Sequence, residues 1–332
     1  MQLSAKPADL REMVQAMPKT AEPIVIDEIQ KLPILLDEIH DMIETMKVHF
    51  ILTGSSARKL RQGGVNLLAG RAWQTNLFPL VSSEIPNFNL DSYLLYGGLP
   101  QIYNKPDPIE ELDAYINTYL KEEIMAESLA QNLVRFSSFL RTAALANTEQ
   151  INFANISRDT GIPATSVRAW FEILQDSFIG FLLEPWQSPK RKAVSTAKFY
   201  FFDTGVANYL SGFLQLNRNS AEYGKSFEQF IAMELRSYIS YRRIKADFYY
   251  WRTKEGLEVD FVIGKKAAIE VKAGSSVHPG DLKGLKAIAS EADFEKRILV
   301  CMEELPRLTS DAIHILPWRH FLNELWAGRI FE

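Results

Sequence analysis

Apolar residues recur at two different spacings along this chain, and the change of spacing divides it into parts. Ala8 to Met17 follows an amphipathic helical period, and Pro23 to Asp27 reads as a short buried strand. Pro33 to Met46 is helical again, with Ile34, Leu35, Ile39, Met42 and Ile43 on one stripe. Val48 to Thr53 is the next strand, and Gly54-Ser55-Ser56 turns into a further helix. Strand, helix, strand and helix at these distances predict a parallel α/β sheet. Ligands of such sheets sit beyond the carboxyl ends of the strands, where Asp27, Glu28, Thr53 and Ser55 fall.

From about Pro86 the pattern becomes helical. Tyr96 to Pro100 is a turn, Pro108 to Glu127 a long helix and Leu133 to Ala146 another. Asn155 to Pro163 and Ala164 to Asp176 read as two helices around a glycine turn, with Val167, Phe171 and Leu174 buried. Phe178 to Trp186 and Lys198 to Phe202 read as strands on either side of the basic Ser188 to Lys192. Helices, a tight turn and a basic-tipped hairpin predict a winged helix. The last part begins near Glu222. It holds a helix (Phe227 to Tyr241), a strand (Phe248 to Arg252) and a hairpin, Glu258 to Ile263 with Ala267 to Lys272, turned at Gly264-Lys265. A helix (Asp281 to Ala289) and a strand (Arg297 to Cys301) follow.

Composition narrows the classes. A chain of 332 residues has room for about two or three domains, and its 47% hydrophobic content supports real cores. With 37 basic and 41 acidic residues the net charge is only −4, which excludes a polycation and a highly charged disordered chain. One cysteine, Cys301, rules out an intrachain disulfide and fits a reducing, cytoplasmic setting. Five scattered histidines beside that cysteine form no zinc constellation. No apolar run approaches the roughly 20 residues of a membrane helix, so no membrane partner is expected. Charge is uneven: Met1 to Phe50 carries five basic and nine acidic residues, Arg236 to Lys286 eleven basic and six acidic. A basic block points to a polyanion, and an ordinary solvated surface accounts for it equally.

Ile24-Val25-Ile26-Asp27-Glu28 is an apolar strand ending in two carboxylates. In P-loop nucleotidases such acids hold the Mg²⁺ shell and polarise the attacking water, a task that suits a rigid strand tip. The plainer alternative is that Asp27 caps the next helix and Glu28 is solvated. The motifs Asp27 to Pro33, Phe50 to Ser56, Leu68 to Arg71 and Tyr96 to Pro100, in that order, resemble a large bacterial and archaeal family of AAA+-like ATPases with a C-terminal domain of unknown function. The likeness runs from about Pro23 to Ala273. It implies that Asp27 and Glu28 are Walker B acids, Glu28 being the catalytic one, that Thr53 and Ser55 end the sensor-1 strand, and that Arg71 meets the γ-phosphate or a neighbouring subunit. It also implies ATP and Mg²⁺ as cofactors. Yet Gly-x-x-x-x-Gly-Lys-[Ser/Thr], the phosphate cradle, occurs nowhere in the sequence. Only 26 residues precede Asp27, so the expectation is a truncated P-loop-type sheet with ATP binding lost or impaired. An orphaned sheet edge favours self-association and a less stable first 80 or so residues.

The hairpin carries a second group. Period two places Val259, Phe261 and Ile263 on one face and Glu258 and Asp260 on the other. On the partner strand Glu270 and Lys272 share a face, so Asp260, Glu270 and Lys272 can meet on one side. A solvated outer face is the structural alternative. The pattern Asp…Glu-x-Lys resembles the PD-(D/E)xK nuclease site, and the family's C-terminal domain is itself usually described as nuclease-like. The resemblance implies that Asp260 and Glu270 hold Mg²⁺, as Asp27 does in the first group. It implies further that Lys272 positions or activates water, and that Glu228 is the additional helical acid. A nuclease fold kept only for binding stays open.

In the winged helix, Arg168 and the tip residues Lys190, Arg191 and Lys192 are available for DNA contact, and interdomain packing is the alternative. Asp203 reads as a helix cap. The expected fold class is α/β in three parts. They are an ATPase core over 1–85, a helical and winged-helix middle over 86–215, and a restriction-endonuclease-like domain over 216–332. Three functions fit: an ATPase-family protein associated with nucleic acid, a standalone Mg²⁺-dependent DNA nuclease, and a non-catalytic DNA or partner adaptor.

Overall fold

In the computed structural model of the chain, the described residues are 3, 6–18, 22–55, 72–120, 133–187 and 196–331. They form a mixed α/β structure that separates into two units, residues 1–75 with 173–179, and residues 76–172 with 180–332.

In the first unit, α1 (Asp9–Ala16) buries Leu10 and Val14, one turn apart, and carries Asp9 and Glu12 where the helix dipole favours acids. Strands β1 (Ile24–Ile26) and, after α2 (Leu35–Met46), β2 (Phe50–Leu52) pair in parallel with Ile24 opposite Phe50 and Ile26 opposite Leu52. Leu10, Val14, Ile29, Leu35, Leu36, Ile39 and Met42 form the buried core, and Ile24, Ile26, Phe50 and Leu52 pack against it. Val25 is 62% exposed and Ile51 48% exposed. The strands are therefore covered on one face, where sequence periodicity predicted burial. Ile34, expected on the α2 stripe, is exposed because it is the residue before the first helical turn. The helix expected after Ser55 lies outside the described residues.

The second unit opens with α3 (Leu90–Tyr96) and α4 (Pro108–Ala114), the latter capped by the Asp107 side chain and started by Pro108. A π-type segment, Tyr115–Leu120, succeeds α4, so the expected single long helix is interrupted as far as it is described. Helices α5 (Leu133–Leu145), α6 (Phe153–Thr160) and α7 (Ala164–Asp176, of which residues 173–176 fall in the first unit) come next, with Gly161 at φ 68° making the left-handed turn between the last two. Edge-to-face rings tie them to the next hairpin: Phe139 to Phe171 at 5.1 Å and Phe171 to Phe199 at 4.9 Å. That hairpin pairs β3 (Gly180–Leu183) with β4 (Lys198–Phe201), Leu183 opposite Lys198. Its strands are buried but for a partly exposed Leu182. Just beyond β3, Trp186 N–H donates to the Tyr250 carbonyl at 2.6 Å and Tyr250 N–H to the Glu184 carbonyl at 3.1 Å. The base of the expected wing therefore leans on the C-terminal sheet; its basic tip lies outside the described residues. Asp203 caps α8 (Thr204–Ser211) through Val206 N–H, as expected. It also accepts from Gly98 N–H at 2.8 Å, fixing the Tyr96–Pro100 turn, and a side chain at Gly97 would strike its carboxylate.

The C-terminal sheet has six strands. Helix α9 (Ala221–Tyr241), capped by Ser220, leads into β5 (Phe248–Arg252), β6 (Glu258–Ile263) and β7 (Ala267–Val271), an antiparallel meander. After α10 (Lys283–Ile288), β8 (Lys296–Cys301) pairs in parallel with β7, and β10 (Ile313–Pro317) lies between β8 and the short antiparallel β9 (Arg307–Leu308). Helices α9 and α11 (Trp318–Trp326) share one apolar core with Phe261, Ile263, Ile269 and Val300. Helix α10 shares a second with Val259, Val262, Ala268 and Leu299. Two packed faces explain the near-continuous apolar strands. Strand β6 is irregular: Tyr249 opposes Val262 and Trp251 opposes Val259, three residue steps against two. The extra residue puts Val259 in the core of Val262, not in that of Phe261 as simple alternation predicted.

Candidate functional site

The meander and α9 bring Glu228, Glu258, Asp260, Glu270 and Lys272 into one cluster, and β4 adds Lys198. Asp260 sits beside the β6 irregularity and is 6% exposed; its Oδ2 accepts from Val271 N–H at 2.8 Å. Glu270, also 6% exposed, comes from the neighbouring strand. Its Oε1 accepts from Lys272 Nζ at 2.5 Å, while its Oε2 is buried with no hydrogen-bond partner among the described residues. Glu228 lies two turns into α9, and its Oε1 accepts from Tyr200 OH at 2.6 Å and from Lys198 Nζ at 3.1 Å. Lys198 Nζ is also 2.5 Å from Glu258 Oε1 and 3.6 Å from Asp260 Oδ1. Arg252 Nη1 donates to the other Glu258 oxygen at 2.8 Å. Asp260 and Glu270 are buried, so this face of the hairpin is not the solvated surface of the alternative reading. Glu228, Glu258, Lys198 and Arg252 line a neighbouring cleft of about 600 Å³, whose polar walls include Thr148, Glu149, Gln150, Asn152 and Lys225.

Burial sets the protonation of this group. It drives Glu270 well above the usual carboxylate range, with the Asp260 charge adding and Lys272 only partly opposing. It also pushes Glu228 up to about 7, against the pull of Lys198. For Lys198 burial works the other way, but the charges of Glu228, Asp260 and Glu258 outweigh it and keep the amine an ammonium. The two shifts are not mirror images: Lys198 gains from three carboxylates, whereas Glu228 has one ion pair against burial and repulsion by Asp260. Lys272 is likewise held above its ordinary value by Glu270 and Asp260 despite burial.

The strand-end group of the first unit also assembles, with different partners. Thr53 N–H donates to the Ile26 carbonyl at 3.0 Å, which aligns the ends of β1 and β2. Thr53 Oγ1 donates to Asp27 Oδ1 and accepts from Glu28 N–H at 3.2 Å. Glu28, at φ 54°, accepts from the Gln30 amide and from Ser55 Oγ at 3.4 Å. Gln30 Nε2 also donates to Ser55 Oγ at 3.0 Å, a link that sequence reasoning missed although Gln30 lies inside the motif. Asp27 caps nothing here; its partner is a hydroxyl. Arg71 lies outside the described residues.

Of the expected DNA contacts, Arg168 is on the exposed side of α7, with its guanidinium 4.8 Å from the Phe153 ring centre. Lys190, Arg191 and Lys192 lie outside the described residues. Glu258 was legible from its shared face with Asp260. Lys198 was not, since no local pattern announces a lysine that crosses from another hairpin. Among the described residues no three His, Cys, Asp or Glu side chains converge as a cage for a metal ion. Asp260 and Glu270, the two acids expected to hold Mg²⁺, are both buried in this cluster, and Glu270 Oε2 is the buried carboxylate oxygen there without a hydrogen-bond partner among the described residues. Among the described residues no helix is long and apolar enough to cross a membrane.

Residues 2–86 match the family model described as an AAA domain. Residues 87–218 and 223–321 match two domains of unknown function, DUF8612 and DUF4143. These matches support an AAA-like ATPase family with a C-terminal domain of unknown function. No curated protein and no solved structure matches the chain.

Proposed function

We propose that this AAA-like ATPase-family chain works on nucleic acid, and that its C-terminal domain cleaves phosphodiesters with Mg²⁺. One observation carries the reading. Glu228, Asp260, Glu270 and Lys272 come together from a helix and two strands, with one buried Glu270 oxygen left without a partner. Asp260 and Glu270 would hold the ion, whose chemistry when bound is to polarise a phosphate oxygen and activate water. Lys272 is a fixed cation 2.5 Å from Glu270 and faces developing phosphate charge; its raised pKa makes it an electrostatic group and not a base. Lys225 and Arg252 line the neighbouring cleft, paired with Glu149 and Glu258, and would turn from those acids to the substrate's phosphates.

For the first unit the reading assigns weak nucleotide binding at most. Asp27, Glu28, Thr53 and Ser55 are in place, but the sequence contains no P-loop string.

The test is Mg²⁺- or Mn²⁺-dependent cleavage of single-stranded, duplex and branched DNA, beside a Glu270→Ala/Lys272→Ala control. Cleavage that falls at least a hundredfold in the control is the expected outcome. Absence of cleavage with DNA binding intact would replace this reading by a non-catalytic adaptor, which the saturation of Glu228 and Glu258 by Lys198 would then explain.

A further inference from the structure

Among the acids of the cluster, Lys198 stands where a cation would be wanted. It is 4% exposed, and its ammonium reaches three carboxylates from three different positions: Glu228 on α9, and Glu258 and Asp260 on β6. A second contact holds the amine over the Tyr250 ring at 5.5 Å. Its backbone does not belong to the sheet that carries the acids. It opens β4, opposite Leu183, and it bridges Gln150 on its other side. Thr148 N–H donating to the Phe199 carbonyl at 2.8 Å and Phe199 N–H donating to the Glu149 carbonyl at 3.2 Å fix that placement. The middle part of the chain thus delivers a positive charge into the acid cluster of the C-terminal part.

The arrangement has a direct consequence for metal. Asp260 is shared: one oxygen faces Lys198 at 3.6 Å, the other takes the Val271 N–H. A divalent ion on Asp260 and Glu270 would share the Asp260 carboxylate with an ammonium, and like charges on one buried carboxylate repel strongly. We infer that Lys198 is a resident cation that competes with a divalent metal ion for this acid cluster, so that the described arrangement is a closed state. The inference rests on the metal reading of Asp260 and Glu270 given above. Opening needs no refolding. Lysine has a flexible four-carbon stem, and Lys198 lines the cleft of about 600 Å³ into which that stem can swing. A purely structural lysine would behave differently, since its loss would weaken the fold and do nothing for metal.

The experiment is calorimetric titration of the full chain with Mn²⁺ alone, for the wild type and for Lys198→Met, Glu258→Gln, Glu270→Gln and Lys198→Met/Glu270→Gln. Competition predicts that Lys198→Met binds Mn²⁺ at least tenfold more tightly than the wild type, and that adding Glu270→Gln abolishes the gain. Glu258→Gln keeps two carboxylates on Lys198 and should fold even if Lys198→Met does not. It should tighten Mn²⁺ severalfold although it removes a negative charge, an outcome opposite in sign to simple electrostatics. Equal affinity in wild type and Lys198→Met, or weaker binding in Glu258→Gln, overturns the competition. If that unchanged binding still disappears in Glu270→Gln, the metal reading survives alone. Lack of Mn²⁺ binding in every variant overturns both.

Discussion

Asp27 and Glu28 end a strand whose carboxylates are met by neutral groups, Thr53, Gln30 and Ser55. Asp260 and Glu270 sit in strands whose carboxylates are met by lysines and a backbone amide. The difference follows from the sheets beneath them. The β1–β2 pair has three residues per strand and one covered face, so its strand ends stay near solvent and hydroxyls suffice. The six-stranded sheet is covered on both faces, so an acid placed there loses water and must find a cation or take up a proton. The same residue types at strand positions thus become an open, weakly held group in one region and a tightly compensated one in the other.

The largest test of that contrast is to remove the scaffold from under the buried group. Phe261 is fully buried next to Asp260, stacks on Phe248 at 5.6 Å and lies 6.2 Å from Tyr200, which holds Glu228. Phe261→Ala should cost about 4 kcal/mol. By hydrogen exchange, protection should fall across β5 to β8, and the Lys198 ion pairs should loosen with it. Unchanged protection there would mean the acid cluster does not depend on the sheet core, and the contrast would fail.

A smaller effect reads the cost of buried acids directly. Glu234 is 1% exposed and accepts from Ser82 N–H and Trp326 Nε1–H, both at 2.6 Å; burial nevertheless pushes its pKa up to about 7. Unfolded, it would titrate near its ordinary value of 4.5. Between those values the folded protein keeps a proton that the unfolded chain has released, so this group's contribution to stability falls as pH rises through the window. From pH 4.5 to above 7 the loss is about 3 kcal/mol. Glu234→Gln cannot ionise and should flatten the decline of the unfolding midpoint between pH 5 and 8. Parallel curves for the two proteins would show that Glu234 is ionised at no cost.

Legibility in the sequence followed the distance over which the physics acts. The alternation Glu258-x-Asp260 and Glu270-x-Lys272, and the helix opening near Glu228, are local, and those residues do meet. Each strand of the first unit, with the acid or hydroxyl at its end, was a local pattern as well, and the helix between them announced that they pair in parallel. Lys198 pairs with residues 30 and more positions away, and nothing in Ala197-Lys198-Phe199 separates it from a surface lysine. The irregularity in β6 escaped because one extra residue leaves the apolar alternation looking regular while it moves Val259 to the opposite core. Strand β10 and helix α11 were missed for another reason. Pro317 ends one and begins the other, so Ile313 to Trp326 shows neither a clean period two nor a bounded helix.

The smallest effect belongs to the open group. Thr53 Oγ1 touches both Asp27 and Glu28, donating to the Asp27 carboxylate and accepting from Glu28 N–H. Thr53→Val keeps the β-branched shape and the strand propensity, and removes both bonds. Both groups lie near solvent, so water replaces the lost partner and the cost is about 1 kcal/mol. It should appear as faster amide exchange at Glu28 and Ile29 while the β5–β8 amides keep their rates, because Ile29 N–H bonds the Thr53 carbonyl at 3.0 Å. A loss as large as that of Phe261→Ala would mean that these hydroxyls hold the strand ends as firmly as lysines hold the buried acids. Burial would then not be what sets the two groups apart.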